Sequence, residues 1–208
     1  MARILKAAKT EFAQKGLGGA RVDVIARRAK SNKRMLYHYF GNKDDLFRIT
    51  IEKAYADFRD AEANLDLANS DPVSALKQLV SFTWQYYLDN PELITLVNSE
   101  NLHKARHIKK SRRTRELNRQ FVARMQALLD RGVSSGVFRK NLDPVQVNIS
   151  IAALGYYYLT NRYTGAIVFE RNLMGKSSLA ARLEHNINTI MRLVCTASTI
   201  MQLEATGT

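Results

Sequence analysis

Residues 31–47 read SNKRMLYHYFGNKDDLF. One short helix here carries two cations, Lys33 and Arg34, with a phenol and an imidazole, Tyr37 and His38, and it stops at a glycine, Gly41. The chain holds no nucleophile elbow, phosphate loop, zinc-site spacing or paired-carboxylate constellation, so covalent catalysis is not the chemistry these groups serve, and no cofactor or metal is expected. They suit contact with a large polyanion. A guanidinium near a helix start, as Arg34 is, can bond both O6 and N7 of guanine. Tyr37 and His38 suit phosphate or methyl contacts. Lys43, at the start of the next helix, can meet a phosphate together with that helix's N-terminal amides.

The bulk charge agrees. The 208 residues hold 32 Lys+Arg against 19 Asp+Glu, a net charge of +13. A field of that sign implies nucleic acid or an anionic membrane as partner. Residues 1–50 alone hold 12 Lys+Arg and 4 Asp+Glu, as a separate small domain would. Most of the remaining excess lies in the run HKARHIKKSRRTR, 103–115. That run reads as a second DNA contact or, preferably, as solvated surface at a helix connection.

The elements that must position these groups are helical throughout. Ile4, Leu5, Ala8, Phe12 and Leu17 mark one face of a first helix ended by Gly16. Val22, Ile25, Ala26 and Ala29 mark a second, and Lys33–Tyr39 a third with Asn32 as cap. Asn42 caps a fourth, with Asp45 as its box partner. Two short helices joined by a three-residue turn form a helix-turn-helix, whose second member fits the major groove. Met35, Leu36 and Tyr39 are expected to pack inward, leaving Lys33, Arg34, Tyr37 and His38 outside. Three prolines, each after Asp or Asn (Asp71-Pro72, Asn90-Pro91, Asp143-Pro144), open helices near 72–89, 91–106 and 144–163. Others are expected near 110–135 and from 177 to 205, with loops at 66–71, 136–143 and 164–177. The expectation is all-α, about nine helices.

The stretch from Ala8 to Phe47 resembles the DNA-binding domain of the TetR/AcrR family of bacterial transcriptional repressors. The resemblance rests on Ala8–Phe12–Gly16, Val22-x-x-Ile25-Ala26-x-x-Ala29 and Leu36-Tyr37-x-Tyr39-Phe40-x-Asn42-Lys43-x-x-Leu46. It departs from the family at Lys30-Ser31, where Gly-Val is usual, at Arg21, where Thr is common, and in lacking a basic arm before the first helix. The resemblance implies a helix-turn-helix domain over 1–45 and a larger helical ligand-binding and dimerisation domain over 46–208. It also implies DNA contacts from Arg21, Val22, Lys33, Arg34, Tyr37, His38 and Lys43, with Phe12, Ile25, Leu36 and Phe40 as the small domain's core. Function is then expected to be ligand-responsive repression at a palindromic operator by a homodimer.

Beyond the small domain, Leu179, Leu183, Ile187, Ile190, Val194, Ala197 and Met201 recur at steps of three and four. That is a coiled-coil-like stripe, serving a partner subunit or the chain's own core. A dimer interface of Leu154, Tyr158, Leu183, Ile187, Ile190 and Val194 is expected. A small-molecule effector is expected among Trp84, Tyr87, Asn98, Asn101, Phe121, Met125 and Tyr156, where two amides in an apolar bundle need partners. His103 and His107, four apart, lack a supporting ligand set for a metal. The single cysteine, Cys195, reads as a buried small hydrophobe and points to a reducing, cytoplasmic setting. No apolar run is long enough to span a membrane. The competing reading is a basic membrane-surface or non-specific nucleic-acid-binding helical protein without an effector.

Overall fold

The computed structural model describes residues 1–205, which form eleven α-helices and one 3-10 turn. The helices are α1 (Ala2–Gly19), α2 (Val22–Arg28), α3 (Lys33–Phe40), α4 (Lys43–Ala63), α5 (Pro72–Asp89) and α6 (Pro91–Leu102). After the 3-10 turn Ile108–Lys110 come α7 (Arg112–Ser134), α8 (Pro144–Thr160), α9 (Arg162–Val168), α10 (Lys176–Val194) and α11 (Ala197–Ala205). The all-α expectation holds.

The helix starts follow local side-chain chemistry. Asn32 accepts the Met35 amide at 2.9 Å. Asn42 and Asp45 form a reciprocal box: Asn42 Oδ1 accepts the Asp45 amide at 2.9 Å, and Asn42 Nδ2 donates to Asp45 Oδ2 at 2.7 Å. Asp71 accepts the amides of Val73 and Ser74, and Asp143 that of Val145, each ahead of a proline at the first helical position. Asn90 does not cap its helix with its side chain. Within α1, Gly16 takes φ 63° and breaks the helical path where a stop is expected, but a further turn follows to Gly19.

Three expected elements differ. The helix opened by Pro91 ends at Leu102, because Lys104 and Ala105 take positive φ and leave the helical path. The expected loop 164–177 holds a short helix, α9. The expected single helix 177–205 is broken at Cys195. There the backbone is extended and bridges antiparallel to Phe138: Arg139 N donates to Val194 O and Thr196 N to Val137 O. The Arg139 guanidinium donates to the carbonyls of Arg192 and Cys195, both at 2.8 Å, so a distant side chain caps the C-terminus of α10.

The chain divides into two compact units. The first is Met1–Arg59 with Asn90–Leu117, the second Asp60–Asp89 with Asn118–Thr208. Contacts thus part the chain differently from a cut after residue 45. In the first unit α1 packs along α6. Its core holds Ile4, Ala8, Phe12, Ile25, Leu36, Phe40 and Phe47, with the Phe12 and Phe47 rings edge to face at 5.1 Å. The second unit buries Leu76, Leu79, Phe121, Met125, Leu128, Phe138, Ile151, Ile190 and Val194 around one another. Cys195 is fully buried there, and burial pushes its thiol up to about 11.

The division concentrates charge. The first unit carries 21 Lys+Arg against 9 Asp+Glu, so nearly all of the chain's +13 belongs to it.

Candidate nucleic-acid interface

The α2–turn–α3 segment is a helix-turn-helix. At the end of α2, Lys30 N donates to Arg27 O and Ser31 N to Ala26 O, the paired bonds of a Schellman stop. This stop needs a left-handed residue, and Lys30 supplies it with φ 49°. The departure from glycine therefore leaves the turn's shape intact and puts the strain on a lysine.

On α3 the inward positions are Leu36 and Phe40, four apart and both buried. Lys33, Arg34, Tyr37 and His38 are all exposed, as expected. Met35 and Tyr39 are not inward: they are 37% and 44% exposed. On an eight-residue helix with its core contact at 36 and 40, neighbours a hundred degrees away fall on the flanks. Tyr39 stands edge-on to His38 at 5.4 Å and extends the aromatic face. Sequence reasoning missed Met35 and Tyr39 as surface candidates because apolar character alone drew them inward.

Around α3 the neighbours are tied down. Glu11, 3% exposed, accepts from the Arg21 backbone amide at 3.3 Å and pairs with Arg28 at 3.2 Å, joining α1 to both ends of α2. The Arg21 side chain makes a bidentate pair with Asp23, 3.2 and 3.1 Å, and its hydrogen bonds hold the Asp23 carboxyl below the usual range. Both groups are solvent-screened, so Arg21 can trade this partner for a phosphate at small cost. Val22 is half-buried. Lys43 is half-buried too, and its Nζ donates to Gly18 O at 3.2 Å beside the α4 N-terminus.

The first turn of α4 is anchored to the segment after α6. Glu100, 2% exposed, accepts from the His107 amide at 2.8 Å and the Ile108 amide at 3.0 Å, and its Oε2 lies 2.6 Å from His107 Nδ1. The other ring nitrogen, Nε2, faces Asp44 Oδ1 at 3.1 Å and Arg106 Nε at 3.2 Å. It can donate to the acid or accept from the guanidinium, so the ring is bonded in either protonation state. Arg106 also bonds Asp44 at 2.6 Å. The His107 hydrogen bond, aided by Arg106, holds the Asp44 carboxyl below its ordinary range. The basic run 103–115 is thus mixed: His107 and Ser111 are buried, Arg106 is committed to Asp44, and Lys109, Arg112, Arg113 and Arg115 are exposed.

The remaining expected residues are placed as follows. Trp84, Tyr87, Phe121 and Met125 are close-packed, Tyr156 is half-buried, and all five belong to the second unit. Asn98 and Asn101 belong to the first; Asn98 is half-buried, and Asn101 is exposed with its amide on Val97 O of its own helix at 3.0 Å. Leu154, Tyr158, Leu183 and Ile187 are half-buried. Ile190 and Val194 are corrected: at 1% and 0% exposure they close the chain's own core against α5 and α8 and cannot face a partner.

The geometry is that of a DNA-binding helix-turn-helix joined to a second helical unit, and the comparisons agree. A family model described as bacterial regulatory proteins, tetR family, matches residues 4–48, and one described as tetracyclin repressor-like, C-terminal domain, matches residues 72–190. The HTH-type transcriptional repressor NicS of Pseudomonas putida is 40% identical over 177 residues, 85% of this chain and 84% of that protein. The fatty acid degradation regulator FadR of Bacillus halodurans shares the fold with TM-score 0.69 at 20% identity, covering 91% of this chain and 93% of that one. FadR of Bacillus subtilis, solved in complex with stearoyl-CoA, gives 0.65 at 17% identity, covering 91% and 97%. In the described residues no helix is long and apolar enough to cross a membrane. The chain belongs to the tetR family of bacterial regulatory proteins, DNA-binding regulators of transcription.

Proposed function

We propose that the protein is a homodimeric repressor that binds a palindromic operator through α3 and is released by a small molecule held in its second unit. The observation that carries the reading is the face of α3: Lys33, Arg34, Tyr37 and His38 project from a helix whose position is set by Leu36 and Phe40. Arg34 reads a guanine edge, and Tyr37, His38, Arg21 and Lys43 hold phosphates. Val22, at the start of α2, lies against the sugar–phosphate backbone. Two such faces related by two-fold symmetry call for an operator of two half-sites a helical turn or its multiple apart. For the partner subunit, α9 offers Tyr163, Ile167 and Val168, 74%, 79% and 73% exposed, beside the half-buried Leu154, Tyr158, Leu183 and Ile187 of α8 and α10. Release works through the first turn of α4, which the Glu100–His107–Asp44 chain ties to the end of α6. The effector must bind the non-operator state more tightly than the operator state.

The test is selection of genomic fragments by the purified protein, followed by titration against the selected duplex. Arg34→Ala weakens binding by about 1–3 kcal/mol and relaxes preference at one base pair in each half-site. Lys43→Ala weakens all duplexes alike and lowers the slope of log K against log salt by about one. Wild-type affinity in both variants removes α3 and α4 from the interface.

A further inference from the structure

Recognition through α3 leaves the exposed cations of the run 103–115 without a role, yet the first unit sets that run beside the start of α4. α1 and α6 lie side by side and run the same way: Lys9 meets Glu92 at 4.0 Å, and a Cβ on Gly16 would lie 3.9 Å from Ser99 Oγ. The two helices therefore end together. Gly18, near the end of α1, accepts from the Lys43 ammonium, and the segment after α6 meets Asp44 through Arg106 and His107. The run thus touches α4 at the residue directly after Lys43.

The segment is held there at a cost. Lys104 and Ala105 take φ 56° and 57°, left-handed conformations that a Cβ opposes, and the two amides bonded to buried Glu100 fix the turn that follows. Ser111 caps α7 by accepting the Thr114 amide at 3.2 Å, and the Arg115 guanidinium donates to Lys109 O at 2.6 Å, closing the 3-10 turn onto the start of α7. That start holds Arg112, Arg113 and Arg115, and its first turn has no acid. Cations at a helix N-terminus oppose the helix dipole, so helix stability does not account for them. Lys104, Lys109, Arg112 and Arg113 are exposed, and among the described residues no carboxylate pairs with any of the four. The Arg106 charge, 2.6 Å from Asp44, offsets the repulsion that this acid would exert on a phosphate at Lys43.

We propose that Lys104, Lys109, Arg112 and Arg113 form a second contact strip for duplex DNA, holding backbone phosphates adjacent to the one at Lys43 and reading no bases. Point charges on a turn and a helix start suit phosphate oxygens, which position a protein on the duplex without specifying sequence. A membrane surface would require an apolar face as well, and between residues 101 and 116 Leu102 is the one large apolar side chain that is exposed. The inference rests on the proposed DNA face of α3 and α4 and widens it.

The experiment is a salt titration of the full chain on the selected operator duplex, with wild type against the variant Lys104→Gln/Lys109→Gln/Arg112→Gln/Arg113→Gln. The variant is expected to lower the slope of log K against log salt by about two or more and the affinity at about 0.15 M salt by about tenfold or more, with base preference unchanged. Its melting temperature is expected to be unchanged or higher, since the charges removed oppose the α7 dipole. Arg112→Lys/Arg113→Lys retains the wild-type slope. Scanning the duplex with methylphosphonates, which neutralise one phosphate at a time, should find positions next to the one coupled to Lys43 that cost wild type about fivefold or more and cost the glutamine variant nothing. The proposal is overturned if the slope is unchanged, if both proteins give the same methylphosphonate profile, or if the lysine variant loses as much as the glutamine one. It is also overturned if the glutamine variant loses binding to phosphatidylglycerol vesicles while its operator affinity stays, which would assign the run to a membrane. Specific binding that depends on Arg34 but not on the run sinks this inference alone; no binding to any duplex sinks the DNA face with it.

Discussion

Nδ1 of His107 lies 2.6 Å from Oε2 of Glu100, seven residues earlier, and both side chains are buried. Glu100 also accepts two backbone amides, so one carboxylate holds the turn after α6 in shape. The far side of the same imidazole meets Asp44, in the first turn of α4, directly after Lys43. The side chains that connect α6 to the N-terminal end of α4 are therefore few and nameable.

Removing the carboxylate strands three donors, the His107 amide and ring N–H, which are buried, and the part-buried Ile108 amide. Glu100→Ala is expected to lower unfolding free energy by about 3–5 kcal/mol, seen as a lower urea midpoint. Glu100→Gln keeps an acceptor for the two amides but sets its NH2 against the imidazole N–H, and falls between. An unchanged midpoint in Glu100→Ala would show that the interior of this unit does not depend on the link.

Asp71 gives a pH-dependent test. Its carboxyl is held below 3.8 mainly by the Ser74 side chain and then by backbone amides at the start of α5. A depressed carboxyl stabilises the fold above its unfolded pKa and loses that contribution as pH falls through the folded value. Asp71→Ala should therefore cost about 1 kcal/mol at neutral pH, with the gap to wild type closing once pH drops below about 4. Thermal unfolding of both proteins across that range measures it; a gap independent of pH would mean the charged cap is not the cause.

The helix-turn-helix turn carries a lysine in a left-handed conformation, Lys30 at φ 49°. Lys30→Gly is expected to raise stability by about 1 kcal/mol, because glycine adopts this conformation without the Cβ clash. Lys30→Val should lower it, since a β-branched residue resists positive φ further. Denaturant melts of the two variants should bracket wild type in that order; the reverse order would contradict the Schellman stop.

What was legible in the chain was local. Asn32, Asn42 with Asp45, Asp71 and Asp143 cap helices because a side-chain oxygen reaches an amide two or three residues on, a distance that sequence spacing sets. The exposure of Lys33, Arg34, Tyr37 and His38 followed from period and polarity. Met35 and Tyr39 were misread because hydrophobicity names a class of residue, whereas the direction of a side chain depends on which residues the neighbouring helices cover.

Tertiary structure decided the rest. By itself the sequence determined an all-helical chain, the side-chain caps at Asn32, Asn42, Asp71 and Asp143, and a basic aromatic helix at 33–40, since these rest on contacts within about four residues. Folding decided that residues 90–117 join the first unit, which brings the second basic run into the same unit as the first. It also decided that Ile190 and Val194 face inward and that α10 ends at Cys195 against Phe138. Each of these depends on partners tens of residues away, and residue spacing does not encode such pairings.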